Sequence, residues 1–268
     1  MGESPMFARV MMLVAGLAMG MTTMAEEATP GTAYVPTVMV TGANRGIGLE
    51  FVRQYAERGA RVIATARDPA GAQELNALAA ANPRIIVERL DVTDFAQVDA
   101  LAARYADQPI DVLINNAGIS GGMQKQMYGR MDYAVFEEVL RVNTIAPLKV
   151  TEAFTPSVLA SQQKRIVAIS SSEGSVSMVD SSRLPFMRAS KAALNMEMRN
   201  VAFQLKPKGA SVRILNPGLV DTDFMKGLPK RMLRPTATVV GELIPLIDAM
   251  SVENTGSFLG YDGKELPW

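Results

Sequence analysis

From Thr37 onward, short uninterrupted apolar runs alternate with longer stretches whose apolar residues recur every three or four positions. A strand that is apolar on both faces has to be covered on both faces, and helices connecting parallel strands are the usual cover. The pattern predicts strands over 38–40, 61–66, 85–90, 112–114, 166–169, 212–215 and 257–261. Between them it predicts a helix with Ile47, Phe51, Val52 and Tyr55 on one face and Gly59 as its stop. An alanine-rich helix is expected to be capped and started by Asp68-Pro69 and to end at Asn82-Pro83, and another to be opened by Asp91-Val92-Thr93-Asp94. A mostly helical stretch is expected over 132–160, disturbed at Pro147 and Pro156, with further helices over 189–205 and 238–250. The expectation is an α/β fold: a single doubly wound domain over 37–268 around a central, mainly parallel sheet.

Two absences narrow the chemistry. The 268 residues include no cysteine and no histidine, which removes disulfides, thiolate nucleophiles, Ser-His-Asp triads and the common zinc ligand sets. No metal site is expected. Lys plus Arg equals Asp plus Glu and no basic block stands out, so no nucleic-acid partner is expected either. Catalysis has to come from Ser, Thr, Tyr, Lys, Asn, Asp, Glu or a cofactor. At the N-terminus, Arg9, the apolar run from Val10 to Met21 and Thr23-Met24-Ala25 before Glu26-Glu27 have the form of an export signal over 1–25. A linker over 26–36 would follow. This favours an exported protein, with a retained membrane anchor or a cytoplasmic chain bearing an extension as the alternatives.

Between the first strand and first helix stands Thr41-Gly42-Ala43-Asn44-Arg45-Gly46-Ile47-Gly48. Glycines there allow a tight turn and close approach of the backbone to a pyrophosphate, and the helix N-terminus offers unpaired N–H groups. The spacing differs from the Gly-x-Gly-x-x-Gly dinucleotide fingerprint, so on its own it is either a phosphate cradle or a ligand-free turn. With Asn115-Asn116-Ala117-Gly118, Asn143 in Val-Asn-Thr, Ile169-Ser170-Ser171, Ala189-Ser190-Lys191 and Pro217-Gly218 following in order, the chain resembles the short-chain dehydrogenase/reductase family. The ending Tyr261-Asp262-Gly263-Lys264-Glu265-Leu266-Pro267-Trp268 resembles its carbonyl-reductase and C-factor-like branch.

The resemblance implies a Rossmann-type domain, a nicotinamide dinucleotide, and a small-molecule carbonyl or alcohol substrate. The acidic residue with which NAD users hold the adenosine ribose would fall at Thr65 or Ala66, and Arg67 follows, a guanidinium suited to a 2′-phosphate. NADP(H) is therefore favoured over NAD(H), with Arg45 a second candidate for that phosphate and Arg67 as a solvated surface charge the plain alternative. Asp91 and Val92 would flank the adenine, Asn115, Ala117 and Gly118 would line the adenosine side, and Pro217, Gly218 and Thr222 would close on the carboxamide. A homo-oligomer through the 132–160 and 189–205 helices is a further expectation of the family. Residues 225–234 read either as a lid or as an amphipathic surface helix.

In the family a serine, a tyrosine, a lysine and an asparagine cooperate in proton transfer. Ser171, Lys191 and Asn143 match three of them. The tyrosine should stand one helical turn before Lys191, and that residue is Met187. Phe186 does not substitute for it, and no tyrosine lies between Ser171 and Lys191. A thioether has no proton to give. Three readings follow: nucleotide binding without turnover, slow reduction with water, Ser171 or Lys191 as proton source, or replacement by Tyr128 or Tyr133.

Overall fold

The computed structural model describes residues 34–226 and 228–268; the expected export signal over 1–25 and most of the linker lie outside them. Seven strands form one sheet in the order β3-β2-β1-β4-β5-β6-β7, every neighbouring pair parallel. They are β1 (Thr37–Val40), β2 (Arg61–Ala66), β3 (Ile85–Arg89), β4 (Val112–Asn115), β5 (Arg165–Ile169), β6 (Ser211–Asn216) and β7 (Ser257–Gly260). Seven helices connect them: α1 (Gly46–Glu57), α2 (Gln73–Ala81), α3 (Phe95–Arg104), α4 (Tyr133–Leu140), α5 (Ala146–Leu159), α6 (Pro185–Leu205) and α7 (Thr236–Asp248).

Strand alternation divides the core into two layers. Val38 and Val40 point to the face covered by α1 and α7, where they join Phe51, Val52, Val239 and Leu243. Met39 points to the opposite face and joins Val98, Phe154, Leu194 and Met198 from α3, α5 and α6. Both faces of β1 are thus buried, which is why the strand reads as unbroken apolar sequence.

Several boundaries differ from expectation for identifiable reasons. Asp68-Pro69 does not start α2. The segment forms a turn in which the Ala72 N–H donates to the Pro69 carbonyl, and the helix begins at Gln73 without a side-chain cap. Asp94, the last residue of the expected opener, is the cap of α3: its carboxylate accepts from the Gln97 N–H at 3.1 Å, while the Gln97 amide reaches back to it. The stretch over 132–160 is interrupted by one wide turn, Arg141–Ile145, which separates α4 from α5. Pro147 has no N–H to give the Asn143 carbonyl, so the ladder loosens there. Helix α6 begins at Pro185, four residues earlier than expected. Pro185 suits a first helical position, and the first N–H groups find an acceptor outside the helix, described below.

Candidate active site

The strand order reverses direction between β1 and β4, and a cleft of ≈ 1030 Å³ opens beyond the carboxyl ends of the strands at that point. One wall is the glycine loop. Gly42 has φ +64°, and a Cβ there would stand 2.9 Å from the Ala117 Cα. At Gly48 a Cβ would come within 2.3 Å of the Gly42 carbonyl oxygen and 2.5 Å of the Asn116 Nδ2. The loop is tied to β4 from below: Thr41 Oγ1 accepts from the Asn116 and Ala117 N–H groups, and the Asn116 amide donates to the Thr41 and Gly42 carbonyls. Asn44, Arg45, Gly46 and Ile47 line the opening above the first turn of α1, whose N–H groups face it. The loop could hold an anion through backbone groups alone.

At the β2 end, Thr65 and Ala66 are fully buried and face the core, whereas Arg67 and Asp68 line the cleft. Asp68 is not consumed as a helix cap, so a carboxylate stands beside Arg67 after all. Arg45 is paired with Asp223 at 3.0 Å, an exposed and therefore weakly held bridge from the glycine loop to the segment after β6. Asp91 lines the cleft with Val92, and its carboxylate accepts from the Thr93 N–H and hydroxyl. Burial opposes ionisation of Asp91, but the Thr93 bonds together with Arg67 and Arg141 outweigh it and hold the carboxyl below its ordinary range. Ala117 and Gly118 line the cleft. Asn115 does not: it is turned into the fold, donating to Thr151 Oγ1 at 2.9 Å, so it fastens α5 to β4 instead of lining an adenosine site.

At the other end, Lys191 projects from α6 and is buried, its Nζ donating to the Ile169 carbonyl at 2.8 Å. Burial lowers its pKa to about 8. Gly174 permits this approach, since a Cβ there would stand 2.8 Å from the Lys191 carbonyl carbon. Asn143 sits in the wide turn between α4 and α5, where its side chain exchanges hydrogen bonds with the Ile119 backbone at 2.9 Å in both directions and donates to Ser190 Oγ. Such turns recur at functional sites because they re-aim a side chain. Ser171 follows β5, and its hydroxyl accepts from the Glu173 N–H. Pro217, Gly218 and Thr222 line the cleft from the loop after β6, with the Thr222 methyl standing close to Gly46. The segment beyond is two short turns, Asp223–Met225 and Lys230–Met232, tied back by Asp221 and Arg234 backbone bonds. It is not an amphipathic helix.

Met187 lines the same cleft one turn before Lys191. Of the tyrosines, Tyr128 and Tyr133 are 91% and 67% exposed, and no tyrosine among the described residues lines the cleft. Of the three readings, the one in which Tyr128 or Tyr133 replaces the missing phenol gains no support from this placement. Two features escaped the sequence reading. Gln126, buried in the loop before α4, accepts with its side-chain oxygen from the Phe186 and Met187 N–H groups at 3.0 and 3.2 Å, capping α6 from a distance. No local pattern marks a glutamine for that role. The second is an ion-pair cluster in which Glu173 binds Arg183 and Arg188, and Arg188 also reaches Asp180, pinning the chain after Ser171 to α6.

The chain matches the family model described as short chain dehydrogenase over residues 36–232. It is 36% identical to C-signal of Myxococcus xanthus over 169 residues, 63% of this chain and 99% of that protein. It is 35% identical to 1-hydroxy-2-glutathionyl-2-methyl-3-butene dehydrogenase of Rhodococcus sp. over 237 residues, 87% of this chain and 99% of that one. Among solved structures, the NADPH-bound carbonyl reductase from chicken fatty liver superposes with a TM-score of 0.81 at 35% identity, covering 87% of this chain and 99% of that one. A carbonyl reductase from Pseudomonas aeruginosa PAO1 in complex with NADP gives 0.77 at 30% identity over 88% and 100%. With the family match over residues 36–232 and a relative 35% identical across 87% of the chain, the chain belongs to the short-chain dehydrogenase/reductase family of oxidoreductases.

Proposed function

We propose that the protein is an NADP(H)-dependent oxidoreductase of a small carbonyl or alcohol substrate, with proton transfer altered because Met187 occupies the position of the family's tyrosine. The observation that carries this reading is one cleft that joins a backbone anion cradle and Arg67 at one end to buried Lys191 at the other. The residues fit the nucleotide: the Gly42–Gly48 loop would hold the pyrophosphate, Arg67 the 2′-phosphate, Asp91 and Val92 the adenine, and Lys191 the nicotinamide ribose. Thr222 would meet the carboxamide. The bound nucleotide supplies hydride. The chain orients it and keeps Ser171 and Lys191 at the reacting end. The NADPH-bound and NADP-bound neighbours support the phosphate preference, as does the absence of a carboxylate at Thr65 and Ala66.

A second reading, a catalytically silent NADP(H)-binding regulator or scaffold, draws support from the lack of any cleft-lining tyrosine among the described residues. The two separate in one experiment. The purified protein is titrated with NADPH and NADH, and bound NADPH is then mixed with a panel of aldehydes and ketones in single turnover, native chain beside Met187→Tyr. Tighter NADPH binding and measurable oxidation by the native chain support the oxidoreductase. Binding with oxidation only in the variant supports the scaffold. Export through residues 1–25 belongs to the same proposal and is checked by the N-terminus of the mature protein. Self-association is checked by light scattering; Ile145, Met196 and Phe203 are exposed apolar residues along the α5 and α6 surfaces.

A further inference from the structure

We propose that the ε-ammonium group of Lys191 is itself the proton donor of this site, serving the substrate oxygen through at most one bridging water. The inference deepens the oxidoreductase reading and rests on it. Several of the hydroxyl groups around the site have their protons committed. Ser170 donates to Asn195 Oδ1 at 2.5 Å, Ser190 to the Met187 carbonyl at 2.8 Å, and Thr222 to the Val220 carbonyl at 3.4 Å. Ser120, Ser171 and Thr236, which also line the cleft, donate no such bond among the described residues. An aliphatic hydroxyl, however, gives up a proton only to a strong base and needs a neighbour to restore it. No tyrosine among the described residues reaches the cleft.

Lys191 is differently placed. An ammonium carries three N–H bonds, and one is used on Ile169. Among the described residues the other two have no acceptor; the nicotinamide ribose would take one of them and leave one for the substrate oxygen or a bridging water. Gly118 is the cleft-lining residue next to the ammonium: a Cβ at that position would be in ordinary contact with Nζ, 3.8 Å away. Met187, on the same face of α6, neither gives a proton nor competes for one. The charged groups on the surrounding elements are engaged elsewhere. Glu173 is held by Arg183 and Arg188, Asp223 by Arg45, Asp221 by Lys230, and Lys149 of α5 by Asp99. Glu138 of α4 also lines the cleft, but it is exposed to solvent and is not bonded to Lys191. An amine buried without a carboxylate partner loses its proton more readily than a free one, and burial is the cause of its lowered pKa. The group is charged at neutral pH and close to the point of release, where a general acid works best.

The step balances as follows. When bound, the reduced nicotinamide would supply the hydride, with its electron pair, that the carbonyl carbon accepts. One Lys191 N–H bond breaks, an O–H bond forms on the former carbonyl oxygen, and the products are the alcohol, the oxidised nicotinamide and a neutral Lys191 amine. Solvent entering the cleft returns the proton.

The test combines two readouts. Competitive acetylation of the apoprotein by acetic anhydride from pH 6 to 11, followed at Lys191 by mass spectrometry, reports the amine's titration without any turnover. Single-turnover oxidation of bound NADPH is then measured over the same range in the native chain, Lys191→Arg and Met187→Tyr. The expected result is half-titration of Lys191 near pH 8 and a native rate that falls about tenfold per pH unit above the same break. Lys191→Arg should lose the break and about 10²-fold in rate. Met187→Tyr should recover rate with its break moved to the phenol. The native profile and the labelling need no variant, so a Lys191→Arg chain that fails to fold leaves the test intact. Titration of Lys191 above pH 10, or a native rate that is flat from pH 6 to 10, overturns the assignment of the donor while leaving the oxidoreductase reading in place. No oxidation of NADPH by the native chain or by Met187→Tyr overturns both.

Discussion

The two ends of the cleft are built on different principles. At the glycine loop the working parts are backbone: Gly42, Gly46 and Gly48 are defined by what they lack, and Asn116 and Thr41 hold carbonyls and N–H groups in place. At the Lys191 end they are individual side chains, each held by a partner from another element: Lys191 by Ile169, Asn143 by Ile119, and the start of α6 by Gln126. A backbone cradle tolerates few substitutions, because almost any added atom collides. A side-chain site keeps its scaffold when one chemical group is exchanged, as Met187 illustrates. Under the proposed function, binding and turnover are therefore expected to be separable.

Four changes break or sharpen that contrast. The largest effect is expected at Gly48→Ala. Its Cβ would meet backbone oxygen at 2.3 Å, which cannot swing aside, so NADPH affinity should fall by about 100-fold or more, or the thermal midpoint should collapse. Met187→Leu, a volume-conserving change at the other end, should leave NADPH titration almost untouched. If both changes weaken binding alike, the two ends are not independent. Next is Met187→Tyr, expected to raise the single-turnover rate by about 10²-fold while NADPH affinity stays within threefold. Arg67→Gln should then cost about 30–100-fold in NADPH affinity through the loss of charge-assisted hydrogen bonds, with NADH affinity unchanged. An equal loss for both nucleotides would assign Arg67 to general electrostatics.

The smaller effects concern stability. Gln126→Ala leaves the Phe186 and Met187 N–H groups without their acceptor and should cost about 1.5 kcal/mol, seen as a lower urea midpoint with NADPH binding preserved. Smaller still is the contribution of Lys191 to pH dependence. Its folded-state pKa of about 8 lies below the unfolded value, so between the two the unfolded chain binds more protons and stability rises with pH. From pH 8 to 9 the gain should be on the order of 1 kcal/mol, and Lys191→Met should remove it. Tyr105, pushed up to about 12 by burial and its bond to Glu88, acts in the opposite sense only above the ordinary tyrosine range.

Much of this was legible in the chain. Unbroken apolar runs such as 38–40 announce strands buried on both faces, and the structure buries them so. That the glycine loop and Lys191 would meet in one cleft was readable because their positions depend on local spacing and on where strands end. Helix starts were harder. Asp68-Pro69 has the form of a cap but makes a turn, and α6 gains its first turn from Gln126, some sixty residues away. Asn115 stands in a family motif, yet its amide goes to Thr151 of α5. No local rule chooses between a cleft and a neighbouring helix when both lie within reach of the same side chain.

By itself the sequence determined the strand and helix alternation, the parallel sheet, the glycine loop after β1 and a thioether one turn before Lys191, because these depend on residue type and short-range period. Tertiary structure alone decided that Tyr128 and Tyr133 stand away from the cleft and that Arg45 faces Asp223. It also decided that Lys191 is buried without a carboxylate beside it. Those outcomes turn on which distant segments pack against one another, and it is burial of the amine, a property of the assembled fold, that sets how readily Lys191 gives up its proton.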